Sequence, residues 1–366
     1  MKLECVKEKL KEVVLLAEKL SGKNNNLPIL QSILLIADGK SLKIRATNLD
    51  IGAEFEIPAK IEKKGSVSVP GNILSNTLNN LQKDKNITIS LINNNLYIST
   101  ENSSTTIKSF SSDEFPTLPI IKEGVPVVIS AQQLTNGLKS VVFSASISDI
   151  KPEISSVYIY QDGDYLVFAA TDSFRLAEKK ILNKKTKEFQ GVILPLKNTH
   201  EIIRILENTQ EDVVIHTNKN QISFYYGGVY ITSRVINAIF PDYKQIIPKG
   251  HTTEAIILKG DLMSTLKIST VFSDKFHKTN LVLRPADKLF EISSQNPDTG
   301  ENTTRVDASL EGDILEISFN HKYILECLHF IKEDSVTLQF NGENKPLMIK
   351  GLGDTSFLYL VMPINK

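Results

Sequence analysis

Three stretches of this chain share one pattern at a fixed spacing, and that spacing constrains the fold more than any other feature. Leu42-Lys-Ile-Arg-Ala-Thr47-Asn48 reads as a strand ending in a polar turn. Leu166-Val-Phe-Ala-Ala-Thr171-Asp172 repeats the shape 166 − 42 = 124 positions later, and Leu289-Phe-Glu-Ile-Ser-Ser294-Gln295 repeats it 289 − 166 = 123 positions after that. Self-similarity at a fixed period marks tandem copies of one structural unit. Three such copies fill all 366 residues.

The neighbouring elements repeat as well. Val6, Leu10, Val13, Ala17 and Leu20 fall on one face of a helical stretch, with Lys7, Lys11, Glu18 and Lys19 opposite. Leu134, Leu138, Val141 and Val142 do the same in the second copy, and Leu262, Met263, Leu266 and Val271 in the third. A second helical stretch follows in each: Ile73, Leu74, Leu78, Leu81; then Ile202, Ile203, Ile205, Leu206; then Ile324, Leu325, Leu328, Ile331. Pro70 and Pro195 mark its start in the first two copies, and Asn320 is a candidate N-cap in the third. Two strands joined by a turn come next. The turns are Asn93-Asn94-Asn95, Asn218-Lys219-Asn220 and Asn341-Gly342, residues that tolerate the positive φ of tight hairpins.

Each copy therefore predicts two helices and roughly eight short strands, an α+β class with helices gathered on one side of antiparallel sheet. Boundaries near the prolines around 120–127 and 245–253 give three domains, 1–122, 123–248 and 249–366.

Formal charge is zero, with 42 basic and 42 acidic residues, so bulk attraction to nucleic acid is not implied; placement of the charges decides. Two distant cysteines, Cys5 and Cys327, argue against a disulfide scaffold and for a reducing cytoplasm. No run is long enough for a membrane span, and no signal peptide opens the chain. The six histidines show no metal-ligand spacing; His321 and His329, eight apart, read as a solvated helix face. Nucleotide-binding loops and nucleophile elbows are absent, so no catalytic residue, cofactor or metal is expected. Repeats without an active site point to binding or scaffolding.

Four strings add a specific likeness: Leu27-Pro28-Ile29-Leu30, Ala170-Thr171-Asp172-Ser173-Phe174-Arg175-Leu176-Ala177, Phe240-Pro241-Asp242-Tyr243 and Val361-Met362-Pro363. In this order, with the triplication and the length, the chain resembles the bacterial sliding clamps, the beta subunits of DNA polymerase III. The resemblance implies the DNA clamp fold and a head-to-tail homodimer: a ring of six domains, with helices lining a hole through which duplex DNA passes. It implies a non-catalytic processivity subunit that tethers the polymerase alpha subunit, the clamp-loader complex and other proteins carrying a clamp-binding peptide. Sequence-independent tethering needs only weak phosphate contacts, because a closed ring replaces affinity with topology. Lys23, Lys139, Lys197 and Arg204, on or beside the helix faces, are candidate DNA contacts.

Carried over by resemblance, the partner-peptide cleft comprises Ile154, Thr171, Ser173, Phe174, Arg175, Leu176, Pro241, Gln245, Ile246, Pro346, Leu360, Met362, Pro363 and Ile364. Apolar and Met side chains would take Leu and Phe anchors, and Arg175 would fix the peptide's direction. Ring closure would use Ile73, Thr105 and Ile107 on one side and Val271 and Phe272 on the other. The chain departs from the commonest family pattern at Ser173 and Phe174, which replace Gly and His, at Gln245, which replaces a basic residue, and at Asn365-Lys366. A larger apolar wall and an altered peptide preference are expected. A repeat scaffold that binds linear peptides without encircling DNA is the competing reading; an enzyme with an unrecognised site is a third.

Overall fold

The computed structural model describes residues 1–22, 27–81, 85–122, 125–184 and 189–364. Among these lie six α-helices: α1 (Lys7–Leu20), α2 (Gly71–Asn80), α3 (Ala131–Val142), α4 (Leu196–Leu206), α5 (Lys259–Val271) and α6 (His321–Leu328). The helix starts follow the sequence markers. Pro70 and Pro195 occupy the N-cap positions of α2 and α4 with φ of −54° and −55°, which the pyrrolidine ring prefers. Asn320 caps α6, its side chain accepting from Lys322 N at 3.0 Å.

Backbone contacts gather the chain into two compact units, Met1–Thr135 with Lys185–Asn237, and Asn136–Lys184 with Ala238–Lys366. The first holds a five-stranded antiparallel sheet in the order Lys60–Lys63, Lys2–Val6, Asn86–Ile92, Asn95–Ser99, Ser104–Ile107. Its larger sheet runs Val127–Ser130, Asp212–Thr217, Gln221–Tyr226, Val229–Arg234, Ile51–Pro58, Ser41–Thr47, Ser32–Asp38, Gly65–Pro70. In the second unit one sheet runs Ser156–Asp162, Tyr165–Thr171, Arg175–Leu182, Phe357–Val361, Leu347–Gly351, Ser335–Phe340, Thr253–Leu258, Ala308–Gly312. A smaller one runs Gly300–Arg305, Leu289–Asn296, Lys278–Arg284, Leu315–Asn320.

Helix α1 shows why one face of each sheet is helix-bearing. Leu10, Val14, Ala17 and Leu20 are fully buried over strands 41–47 and 51–58, whose Leu42, Ile44, Ala46, Ala53 and Phe55 are buried in turn. Truncating Leu10 to alanine would cost about 2–5 kcal/mol. The predicted stripe needs correction at three places. Val6 ends the first strand and is exposed, Val13 is only half-buried, and Lys7 lies inside. Lys7 Nζ donates to Leu81 O at 3.0 Å, so the ammonium closes the C-terminal end of α2. Ile73 and Val271, predicted on buried helix faces, are exposed, while Leu325 and Met263 are half-buried. Leu81 and Ile331 lie just beyond their helices. His321, read as solvated, is buried, because it is the first residue of α6 and faces His277 at 5.5 Å between ring centroids.

The repeat reappears in the pairing of strands distant in sequence. In the first unit strand 229–234 joins strand 51–58 with Tyr230 opposite Glu54, Ile231 opposite Ala53, Thr232 opposite Gly52 and Ser233 opposite Ile51. In the second, strand 357–361 joins strand 175–182 with Leu358 opposite Glu178, Tyr359 opposite Ala177, Leu360 opposite Leu176 and Val361 opposite Arg175. Adding 178 − 54 = 124 to one strand and 358 − 230 = 128 to the other converts every pair of the first seam into a pair of the second.

The turn leading into each seam is also duplicated. Thr47 Oγ1 donates to Ile51 O and accepts from Leu49 N, while Asn48 Oδ1 accepts from Asp50 N and Ile51 N. Thr171 Oγ1 donates to Arg175 O and accepts from Ser173 N, while Asp172 Oδ1 accepts from Phe174 N and Arg175 N. Leu49 and Ser173, 124 positions apart, both take the left-handed backbone, at φ of 76° and 79°.

Candidate functional site

The candidate cleft residues lie in the second unit, mostly on the sheet face away from the helices. Thr171 stands opposite Leu176, Leu176 opposite Leu360, and Leu360 opposite Met348, so these four side chains share one face. Leu176 and Leu360 are buried and form the floor. Met362 N donates to Phe174 O at 2.8 Å, which seats both side chains at the end of the seam. Phe174 is 62% exposed, Met362 38% and Ile246 51%. Pro346, buried, precedes strand 347–351; Pro363 and Ile364 are half-buried, and Ile364 N donates to Ser318 O at 2.8 Å. Ile154 is buried in the turn before strand 156–162.

The loop 240–246 is fixed by its aromatic residues. Tyr243 OH donates to Glu178 Oε2 at 2.5 Å and lies 2.7 Å from Tyr160 OH. Burial, with the Glu178 carboxylate beside it, pushes the Tyr243 phenol far above its ordinary range. Phe240 stacks on Tyr158, and Tyr158 on Tyr160. Pro241, Gln245 and Ile246 ride on this loop, Gln245 Nε2 donating to Asp242 Oδ2 at 2.7 Å.

Arg175 is engaged elsewhere. Its Nε meets Asp172 Oδ2 at 2.9 Å, its Nη1 binds Glu326 Oε2 on α6, and its guanidinium lies 4.4 Å from the Tyr323 ring centroid. At 8% exposure it braces the 171–175 turn against α6. Two participants escaped the sequence reading. Met348 lies opposite Leu360, and its period-two position carries it onto the same floor. The Tyr243–Glu178 lock joins residues 65 apart and has no local pattern.

The first unit provides a direct comparison. Arg234 N donates to Asp50 O at 2.8 Å, the counterpart of the Met362–Phe174 bond, and the two side chains there form an exposed ion pair at 3.9 Å. The same backbone position carries opposite charges in one unit and exposed apolar groups in the other.

Comparison with known proteins places this architecture. Models of the DNA polymerase III beta subunit match its N-terminal domain at residues 1–119, its central domain at 128–242 and its C-terminal domain at 244–365. The chain belongs to the DNA polymerase III beta subunit family. It is 28% identical to a beta sliding clamp of Synechococcus elongatus over 373 residues, covering 100% of this chain and 99% of that one. It is 29% identical to a Staphylococcus aureus beta sliding clamp, covering 93% and 92%. A Bacillus subtilis DNA polymerase sliding clamp superposes with a TM-score of 0.95 at 26% identity, covering 100% of this chain and 99% of that chain. As a member of this family the chain is a sliding clamp of DNA replication and a non-catalytic processivity factor.

Of the candidate DNA contacts in this clamp, Lys197 and Arg204 lie seven residues apart on one face of α4, with Arg204 paired to Glu201. Arg204 also lines a recess with Lys19 and Glu18 of α1 and Asn72 of α2. Lys139 is half-buried in the last turn of α3, and Lys23 lies outside the described residues. Among the interface candidates, Thr105 and Ile107 belong to strand 104–107 at the end of its sheet. The Ile107 side chain is buried opposite Leu96, so it serves its own core and only its backbone reaches the edge. Ile73 and Val271 are exposed, and Phe272 is half-buried beside Gly300, the first residue of the edge strand 300–305. No helix among the described residues is long and apolar enough to cross a membrane.

Proposed function

We propose that two copies of this chain close head to tail around duplex DNA, in the cytoplasm, and tether the polymerase alpha subunit, the clamp loader and other peptide-bearing proteins. One observation carries the reading. Each repeat offers two kinds of strand for a seam: one after the hairpin (104–107, 229–234, 357–361) and one after the turn (51–58, 175–182, 300–305). The seam of the first unit uses 229–234 with 51–58, and that of the second uses 357–361 with 175–182. Strands 104–107 and 300–305 are left over, one of each kind, each at the edge of its sheet. A second copy supplies the missing partner for both, which removes two aggregation-prone edges and makes the assembly directional and closed.

In this reading the domains are 1–122, 123–248 and 249–366, supported by the three matched family regions and the repeated order of elements. Lys197 and Arg204, with Lys139, contact phosphates without reading bases. The surface of Phe174, Leu176, Ile246, Leu360 and Met362 takes the apolar anchors of a linear partner peptide, and Ser173, Gln245 and Pro363 form its rim.

Retention on nicked circular DNA tests the ring: the clamp stays bound in high salt and is lost when the circle is cut. Equal retention on linear DNA refutes encirclement and favours the scaffold reading. Sedimentation gives twice 40.8 kDa, and a monomer throughout the micromolar range contradicts closure. Deleting residues 362–366 abolishes peptide binding and leaves the dimer; unchanged peptide affinity overturns the cleft.

A further inference from the structure

The first unit contains a recess of about 580 Å³ on the helix-free face of its larger sheet, beside the seam. Tyr225, Tyr230, Ile120 and Leu118 give it apolar walls. Lys43, Arg45 and Lys122 give it three cations against the single carboxylate of Glu54, an excess of 3 − 1 = 2 positive charges. The recess is preformed: Tyr230 OH donates to Pro119 O and accepts from Ile121 N, both at 2.9 Å, which pins segment 119–121 as one wall. Lys43 Nζ is held on Glu54 Oε1 at 3.0 Å, and Arg45 Nε on Glu54 Oε2. Both basic groups are therefore oriented before any ligand arrives.

This recess cannot accept the ligand of the second unit. The floor residues Leu176 and Leu360 correspond to Gly52 and Thr232. A side chain at position 52 would collide with Leu118, which already covers that spot. What stays open lies further along the seam, where charge and aromatic surface meet. Ile120 and Tyr225 are among the exposed large apolar side chains of the chain.

We propose that this recess is a second docking site, for an extended acidic peptide that places an aromatic or branched apolar side chain between Tyr225 and Ile120 and its carboxylates on Lys43, Arg45 and Lys122. The charge excess selects the sign of the partner, and the apolar walls supply the anchor that a purely electrostatic patch lacks. The proposal does not depend on the peptide surface of the second unit.

The chain has no tryptophan, so a tryptophan peptide reports its own binding. Full-length protein is titrated into acetyl-Glu-Trp-Leu-Glu-amide and, separately, acetyl-Lys-Trp-Leu-Lys-amide, with excitation at the red edge of indole absorption. The expected result is a saturable blue shift for the acidic peptide, at least fivefold weaker binding of the basic one, and at least fivefold loss of acidic-peptide affinity in Lys122→Glu. Ile120→Asp, also at an exposed position, weakens it similarly, and thermal melts establish that both variants fold. Equal binding of the two peptides, or of neither, overturns the proposal. So does binding that survives both substitutions but is lost in Phe174→Asp, which would assign the peptide to the second unit. Displacement by a short single-stranded oligonucleotide at the same concentration as the acidic peptide would make the cations a phosphate site and likewise overturn it.

Discussion

Replacing Arg175 with alanine should destabilise the second unit by about 3 kcal/mol. The side chain is 8% exposed and binds Asp172 and Glu326 while lying over Tyr323. Removing one member of a buried ion pair typically costs about 3–5 kcal/mol, because the other is left uncompensated. Asp172, 14% exposed, suffers most of that loss but keeps hydrogen bonds from Phe174 N and Arg175 N. Glu326 is 46% exposed and turns to water, so its share is discounted. Loss of the ring contact adds about 1 kcal/mol, which leaves the total near the lower bound. For the unit's 49 + 129 = 178 residues, about 3 kcal/mol corresponds to roughly 6–12 °C in its transition. Calorimetry of the dimer, deconvoluted because two units need not melt together, measures it. Arg175→Lys keeps the charge without the planar fork and should cost about 1–2 kcal/mol. Adding Glu326→Gln to the alanine variant should change little further, since the pair is already broken. If Arg175→Ala melts within about 2 °C of the parent while partner-peptide affinity falls more than tenfold, the brace is wrong and the residue orients the ligand.

Other expectations follow from single residues. Ser173 is exposed with φ of 79°, so Ser173→Gly relieves about 1–2 kcal/mol of left-handed strain against about 0.5–1 kcal/mol of added chain freedom. Urea midpoints should rise slightly, and a clear fall would show that the hydroxyl has a role of its own. Burial holds the His321 pKa below 6.5, so the unfolded chain takes up its proton first as pH falls. This contribution is complete above pH 6.5 and is lost progressively below it. The parent should therefore lose more stability than His321→Gln between pH 7.5 and 5.5; parallel losses would remove the histidine from the account. Burial pushes the Cys5 thiol up to about 12 and raises that of Cys327 as well. Neither should react with a disulfide reagent at pH 8 until denaturant is added, and rapid labelling of native protein would contradict their enclosure.

The repeat was legible because it is written in residues with local consequences. Asn at a hairpin, Pro or Asn at a helix start and alternation along a strand each act within a few positions, so order and spacing survive divergence. Helix faces were legible only approximately. Lys7 entered the interior because a carbonyl at the end of α2, 74 residues away, accepts its ammonium. His321 was buried by packing against His277, which helical spacing does not encode. The neighbouring of Leu176 and Leu360 follows the family strings, but the pairing of Arg175 with Asp172 and Glu326 has no signal in them. A guanidinium beside apolar residues suits a peptide rim and an internal brace equally, and the carboxylate it meets on α6 lies 151 residues away.

The seams show which apolar residues the fold itself requires. Both have the same register, and both end in the same backbone hydrogen bond, 2.8 Å from Arg234 N to Asp50 O and from Met362 N to Phe174 O. In the first unit the side chains at that bond are a solvated ion pair, so the geometry closes without any apolar contribution there. Phe174 and Met362 are thus not needed to form the seam, yet they stand 62% and 38% exposed. Full burial of such side chains is worth about 1.5–3 kcal/mol each, and the larger part of it for Phe174 and the smaller part for Met362 is not realised within this chain. A partner that covers them gains it on binding. At the first seam Leu118, from the chain's own segment, fills the space that Gly52 leaves. Its counterpart in the second, Tyr243, is instead tied back to Glu178. At Gly52 the first seam is closed by its own chain, whereas at the matching end of the second Phe174 and Met362 stay exposed for a partner to cover.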